Sequence, residues 1–311
     1  MDNYTQKKVE FLSNSFDEKV TLYGDIFEPT EEDVKGIVEV VHGMAEHRAR
    51  YENLARFLAT NGFICVIYDQ RGHGETCGAV ENQGYMSDVD NFTSLVMDVK
   101  VVLDEIKRLY PNKKAFILGH SMGSFVSQRF MEMYPGEVDG VILSGSNYTK
   151  SLLYKIGAML AKSIVKKHGR KFVSDTLINM SFGSYNKAFK PNRTEYDWLS
   201  NNTENVDKYI ADPYCGYPFT ASYFMDLIVG FNAISKEYNK MNLDTPVYIF
   251  SGAKDPVGNM SKGITKLYKK YTKLGIKDLS FKLYENGRHE MLNETNKGEV
   301  FNDVLEWLDK H

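Results

Sequence analysis

Cysteine is scarce in this 311-residue chain: Cys65, Cys77 and Cys215 are the three, and they are widely separated. They form no C-x-x-C pair and no other metal-type spacing, so they are read as free thiols in a reducing compartment. Long apolar runs are missing as well. None reaches the eighteen or so residues of a membrane span. The first residues, Met1-Asp2-Asn3-Tyr4-Thr5-Gln6-Lys7-Lys8, lack the apolar core of a signal peptide, and a soluble, cytoplasmic protein is expected. An excess of positive charge is also absent. With 38 basic against 41 acidic residues the net charge is −3, which argues against nucleic acid as a partner. No internal repeat and no low-complexity segment occurs.

Hydrophobic residues make up 42% of the chain, enough for one large α/β core with an insertion or for two domains. Two loosely alternating runs, Lys8–Leu12 and Lys19–Phe27, predict a hairpin. The β-branched run Gly36–His42 predicts a buried strand, followed by a helix over Arg50–Asn61 and a strand over Phe63–Tyr68. A long helix is expected from Asp88 to Tyr110, ended by Pro111. Strands follow at Ala115–Leu118 and Gly140–Gly145, with a helix between them. Strand and helix alternate throughout, the pattern of a mostly parallel sheet covered on both faces. From Asn147 to Asn232 no strand pattern appears, and this segment is expected to be a helical insertion. Leu152, Leu153, Ile156, Met159, Leu160 and Ile164 share one helical face, expected to pack on the main domain, to meet substrate, or both. Lys155, Lys162 and Lys166 lie on another face, expected to be solvated, with a lipid-surface role as the second reading. The α/β rhythm resumes with strands at Pro246–Gly252 and Leu279–Tyr284 and helices at Met260–Leu274 and Gly298–Leu308.

The chemistry centres on Gly119-His120-Ser121-Met122-Gly123. A Gly-x-Ser-x-Gly between an apolar strand and a helix is the setting of an exposed nucleophilic serine on a sharp turn. Such a serine needs a histidine base oriented by a carboxylate. In a parallel sheet these partners lie beyond the carboxyl ends of strands. Asp255 follows one such strand and His289 another. Glu285 also lies at the right end and stays open as a rival to Asp255. Asp69 sits in a Gly-rich loop better suited to structure. His120 is expected in the core and His73 as a brace for its loop. His289-Glu290 begins a His-Glu-x-x-His pattern, but position 293 is Asn, so a zinc hydrolase has little support and no metal or cofactor is expected. Backbone N–H groups of Met122 and Met44 are the expected oxyanion donors.

With these residues assembled, the chain resembles the monoacylglycerol lipase and lysophospholipase group of α/β-hydrolases. The resemblance rests on His42-Gly43-Met44-Ala45-Glu46-His47, Arg50-Tyr51, Asp69-Gln70-Arg71-Gly72-His73-Gly74, the Ser121 turn, Ser251-Gly252-Ala253-Lys254-Asp255 and Gly287-Arg288-His289. It implies an α/β-hydrolase fold and a helical cap inserted after the strand that follows the nucleophile helix. It also implies polar headgroup contacts at Glu46 and Arg50, where a surface ion pair on a helix would look the same. Ser124 stands where the family often has a further glycine.

The expected protein is therefore a serine ester hydrolase with a core over 1–146 and 233–311 and a cap over 147–232. Ser121, His289 and Asp255 carry the reaction, and the substrate is a monoacylglycerol- or lysophospholipid-type monoacyl ester. The cap could touch a membrane or micelle surface. Small-ester carboxylesterase, proline-iminopeptidase-like aminopeptidase and a ligand-binding receptor on the same fold remain as alternatives. For the peptidase, Asp197, Glu204, Asp207 and Asp226 are the carboxylates that would hold a free amino terminus.

Overall fold

Five of the apolar runs become strands buried at every position: β3 (Gly36–Val41), β4 (Phe63–Tyr68), β5 (Ala115–His120), β6 (Gly140–Ser144) and β7 (Val247–Gly252). Helices cover both faces of these parallel strands, which is why their sequences are continuously apolar rather than alternating. In the computed structural model, which describes residues 3–16, 18–31, 33–88, 91–149 and 152–311, they lie at the centre of an eight-stranded sheet. The hairpin strands β1 (Tyr4–Ser15) and β2 (Glu18–Pro29) are longer than the two runs read from the sequence and pair along their full length. Their outward polar residues hide the ends of the strands. The order is β1-β2-β4-β3-β5-β6-β7-β8, closed at the far edge by β8 (Leu279–Tyr284). β2 runs antiparallel to both of its neighbours, and every other pair is parallel.

The core helices begin slightly away from the expected points. The helix expected from Arg50 opens as a 3-10 turn over Arg48–Tyr51, and α1 covers Glu52–Thr60. The Arg50 N–H bonds back to the His47 carbonyl, three residues earlier, so the chain is wound more tightly there. Helix α2 covers Asn91–Leu109; residues 89 and 90 of the expected helix lie outside the described ones. Helix α3 covers Met122–Met133.

Between β6 and β7 the chain is helical, as expected: α4 (Leu152–His168), α5 (Asp175–Phe182), α6 (Thr203–Ala211) and α7 (Ala221–Glu237). Ser174, Asn202 and Thr220 cap three of these helices by accepting the Leu177, Asn205 and Tyr223 N–H groups. The boundary expected at 232 falls inside α7. This helix packs on α4 and also on α2 and α3, so its apolar pattern continues past Asn232 into the core. The apolar stripe of α4 divides. Leu160 and Ile164 pack against the core, whereas Leu152, Ile156 and Met159 are 71%, 53% and 72% exposed. The Leu153 side chain lies outside the described ones. Lys155, Lys162 and Lys166 are exposed. After β7 come α8 (Lys262–Leu274) and α9 (Lys297–Lys310). Met260 and Ser261 have φ of 50° and 68°, so α8 cannot start at Met260. No helix among the described residues is long and apolar enough to cross a membrane.

The first turn of α3 runs against the end of β3. A Cβ on Gly123 would overlap the Val41 carbonyl, and one on Gly119 would meet the Gly123 carbonyl and the Ser127 hydroxyl. Gly298, near the start of α9, has open space around it. Gly123→Ala should therefore destabilise the fold by about 1–3 kcal/mol, while Gly298→Ala should gain up to about 1 kcal/mol from helix propensity. Urea midpoints of the two variants check this. Equal midpoints would contradict the packing described.

Candidate active site

Ser121 follows β5 directly and caps α3 with φ 50° and ψ −118°, a backbone state in which most residues are strained. The strained turn has a chemical consequence. Of Gly119 to Gly123, Ser121 alone is not fully buried. Its N–H donates to the Ser144 carbonyl at the end of β6 (2.9 Å), which fixes the turn against the neighbouring strand. Gly43, after β3, touches it from the other side: a Cβ there would lie 3.2 Å from the Ser121 Cβ. Met44 is the next residue, and Met122 opens α3. The Met122 N–H is in the first turn of a helix, where backbone donors have no intrahelical acceptor.

His289 lies beyond β8 and is buried. Its imidazole rests against Gly145, the residue after Ser144, where a Cβ would come within 3.0 Å of the ring. Its Nδ1 is 3.0 Å from Asp255 Oδ1. Asp255, fully buried beyond β7, also accepts the Val257 N–H (2.8 Å) and the Ser251 hydroxyl (2.9 Å). Burial alone would raise the Asp255 pKa. The charge and hydrogen bond of His289, with those two donors, outweigh it and hold the carboxyl below its ordinary value. His289 is moved the other way. Burial disfavours its charged form, but the Asp255 carboxylate, helped by Glu290 and Glu46, leaves it above the ordinary 6.5. Glu285, the sequence rival, is exposed and does not hydrogen-bond to His289.

His120 and His73 have structural partners. His120 is buried, with Nδ1 3.1 Å from the Ser144 hydroxyl and its ring 4.7 Å from that of His289. Burial lowers its pKa to about 4, so it is neutral beside its partner. His73 Nδ1 meets the Arg71 carbonyl at 2.8 Å, bracing its loop as expected. Asp69 accepts the backbone N–H groups of Arg48 and Glu75, and is likewise structural.

Glu46 and Arg50, where the resemblance implies headgroup contacts, face each other. They form an ion pair (2.9 Å), but an almost completely buried one. Arg50 also makes a two-pronged contact with Glu290 (2.5 and 2.7 Å) and reaches Asn205 on α6 (2.9 Å). Glu46 Oε1 accepts the Gly43 N–H (2.5 Å) and the Tyr51 hydroxyl (2.7 Å). Their hydrogen-bonding capacity is thus taken up inside the protein. One guanidinium joins the loop after β3, the loop carrying His289, and the helical insertion. Burial would raise the Glu290 pKa, yet Arg50 holds it down at about 2. Sequence reading missed Glu290 because it was weighed only as half of a zinc motif. Its position beside the candidate base was the available signal.

The insertion also closes over His289. Trp198 packs on the imidazole with ring centres 5.2 Å apart, and the Glu290 N–H donates to the Leu199 carbonyl at 2.8 Å. On the other side Tyr223 of α7 places its hydroxyl on the Met122 sulfur. The sequence showed Trp198 and Tyr223 only as members of an aromatic group.

The chain is similar to known proteins. Residues 32–296 match the family described as serine aminopeptidase, S33. The monoacylglycerol lipase of Mycolicibacterium smegmatis is 25% identical over 297 residues, 94% of each chain. The human monoglyceride lipase is 27% identical over 282 residues, 88% of this chain and 82% of its own. Among solved structures, a thermostable carboxyl esterase from Bacillus coagulans in complex with glycerol superposes with a TM-score of 0.90 at 22% identity, over 98% of both chains. A soluble variant of the Saccharomyces cerevisiae monoglyceride lipase gives 0.74 at 22% identity, over 96% of this chain and 94% of its own. The eight-stranded, mostly parallel sheet and the strained Ser121 turn agree with these likenesses: the chain is a serine hydrolase with the α/β-hydrolase fold, similar to monoacylglycerol lipases, and belongs to the serine aminopeptidase, S33, family.

Proposed function

We propose that the protein hydrolyses monoacyl esters of the monoacylglycerol or lysophospholipid type, through Ser121, His289 and Asp255. The observation that carries this reading is the buried His289–Asp255 pair at the same end of the sheet as Ser121, the one residue of its turn that is not fully buried. Ser121 Oγ attacks the ester carbonyl while His289 Nε2 takes its proton. The tetrahedral oxyanion is met by the Met44 and Met122 N–H groups. As it collapses, His289 returns the proton to the leaving alcohol, and an acyl-enzyme remains. Water, activated by the same imidazole, releases the acid. Asp255 keeps the imidazole in the required tautomer and stabilises its charged form.

The helical segment from α4 through α7 serves as the cap in this reading. Phe231 of α7 packs against Phe125 of α3 (4.3 Å between ring centres) and edge-on to Tyr154 of α4 (5.5 Å), an apolar wall suited to an acyl chain. The exposed Leu152, Ile156 and Met159, with the lysines of the same helix, suit contact with a membrane or micelle surface. Against the aminopeptidase alternative stand the cap carboxylates themselves. Asp197 is bound by the Arg193 and Thr194 N–H groups, Glu204 by Lys208, Asp207 by Arg193 and Asp226 by Arg170. Each already has a partner within the insertion.

Ser121→Ala should fold normally and lose activity by about a thousandfold or more. Asp255→Asn should be far more damaging than Glu285→Gln. Since His289 must be neutral to accept a proton and its pKa is raised, kcat/KM should rise with pH along an acid limb lying above the ordinary histidine value. That limb should move to lower pH in Asp255→Asn, where the stabilising charge is gone. A pH–rate series on the three variants tests both points. A Glu285→Gln variant worse than Asp255→Asn would remove Asp255 from the mechanism.

Acyl-length dependence tests the substrate class. A buried methylene can gain about 0.8 kcal/mol, roughly fourfold, and if half is lost to chain ordering, four further carbons still give about fifteenfold. Measured below micelle formation, kcat/KM should climb from short to medium-chain monoacyl esters. A steady fall from acetate upward would make the protein a small-ester carboxylesterase, and faster cleavage of an aminoacyl amide would make it an aminopeptidase.

A further inference from the structure

Three metal-binding side chains converge on the seam between the loop after β3 and the helical insertion. One donor atom from each of His47, Asp212 and Cys215 lies within 4.8 Å of the other two. His47 Nε2 is 2.8 Å from Asp212 Oδ2, although 165 residues separate them in the chain. Local geometry brings Asp212 and Cys215 together: the Cys215 N–H donates to the Asp212 carbonyl at 3.0 Å, closing a turn. The other carboxylate oxygen, Oδ1, accepts the Tyr214 N–H at 2.8 Å, which orients the carboxylate so that Oδ2 faces His47. The Gly216 N–H donates to the Ala45 carbonyl at 3.0 Å and holds the two segments side by side.

We propose that His47 Nε2, Asp212 Oδ2 and Cys215 Sγ bind a zinc-type divalent cation, with water in the fourth position. Imidazole, carboxylate and thiolate are together a zinc donor set rather than a magnesium or calcium one. Bonds of about 2.0–2.3 Å in a tetrahedron keep ligand atoms about 3.3–3.8 Å apart. The His47–Asp212 contact must open slightly and the thiol swing inward by about 1 Å, which side-chain rotation supplies. Without a metal, burial pushes the Cys215 thiol up, so it carries its proton. Binding releases that proton to solvent and forms the sulfur–metal bond, with no change of oxidation state. Carboxylate and thiolate then balance the charge of the ion. The other two thiols are not arranged this way. Cys65 is buried within β4, and Cys77 donates to the Gly74 and Ala79 carbonyls.

Such an ion would bind the insertion to the loop that carries Met44, three residues before His47. Any effect on turnover rests on the oxyanion role proposed for Met44, so the test reads binding alone. Chelator-treated full-length protein is titrated with cobalt(II), then with zinc(II). One equivalent of cobalt should produce a thiolate-to-metal charge-transfer absorption in the near ultraviolet, and zinc should displace it. Cys215→Ser should remove that absorption, and His47→Gln and Asp212→Asn should weaken zinc binding at least about tenfold, while Cys77→Ser matches the parent. No charge-transfer band, a band that survives Cys215→Ser, or zinc affinity unchanged in the variants would reduce the cluster to a hydrogen-bonded contact. If a variant fails to fold, the parent protein suffices: zinc should slow alkylation of Cys215, followed by peptide mass spectrometry, by about tenfold or more, and an unchanged rate overturns the proposal.

Discussion

Helix α3 can start where it does because two positions lack a Cβ. Gly123 lets the first helical turn ride on the Val41 carbonyl, and Gly119 lets β5 pass beneath it. That close approach leaves Ser121 with a left-handed φ and lifts it out of an otherwise buried turn. It also sets the start of the helix beside the loop after β3. The proposed nucleophile position, the proposed oxyanion donors and the contact between Gly43 and Ser121 thus share one steric origin. The strain persists because the strands on either side are fully buried and fix both ends of the turn.

Around that turn the charges are arranged by burial rather than by proximity to solvent. Asp255 is ionised in the interior because three donors converge on it, and its charge in turn favours protonated His289. Glu290 and Glu46 extend the negative field, and Arg50 limits it. A single guanidinium between two buried carboxylates leaves that network negative beside the base. It also ties two loops and helix α6 into one body. Removing one member of such a group leaves an uncompensated charge in the interior, so the arrangement is mechanically stiff as well as polar.

Much of this was legible in the sequence, and the reasons differ from part to part. Buried parallel strands announce themselves as β-branched runs, and the Ser121 turn has a glycine pattern that sterics demand. Asp255 and His289 could be placed because they follow strands whose direction the α/β rhythm had established. Glu285 could not be set aside from sequence, since only the fold shows it facing solvent. Edge features were less visible: β1 and β2 extend into polar residues, and the 3-10 turn at Arg48–Tyr51 resembles the start of an ordinary helix. The α4 stripe had helical period, yet period does not say which turns find a partner. Contacts between distant residues, such as Arg50 with Glu290 or His47 with Asp212, have no local pattern at all.

Helix α7 carries a consequence for the history and engineering of the chain. It begins in the insertion, beside Val173 and Thr220, and ends packed on the core helices α2 and α3. At Gly230 a Cβ would strike the Phe92 ring of α2, so the two helices are fitted to each other, not merely adjacent. The insertion is therefore not a detachable module with two hinges. One end is grafted into the core through a shared helix, and the insertion cannot be exchanged between relatives by cutting at 147 and 232. An exchange that keeps the packing must carry α7 whole, together with the surface of α2 that receives it.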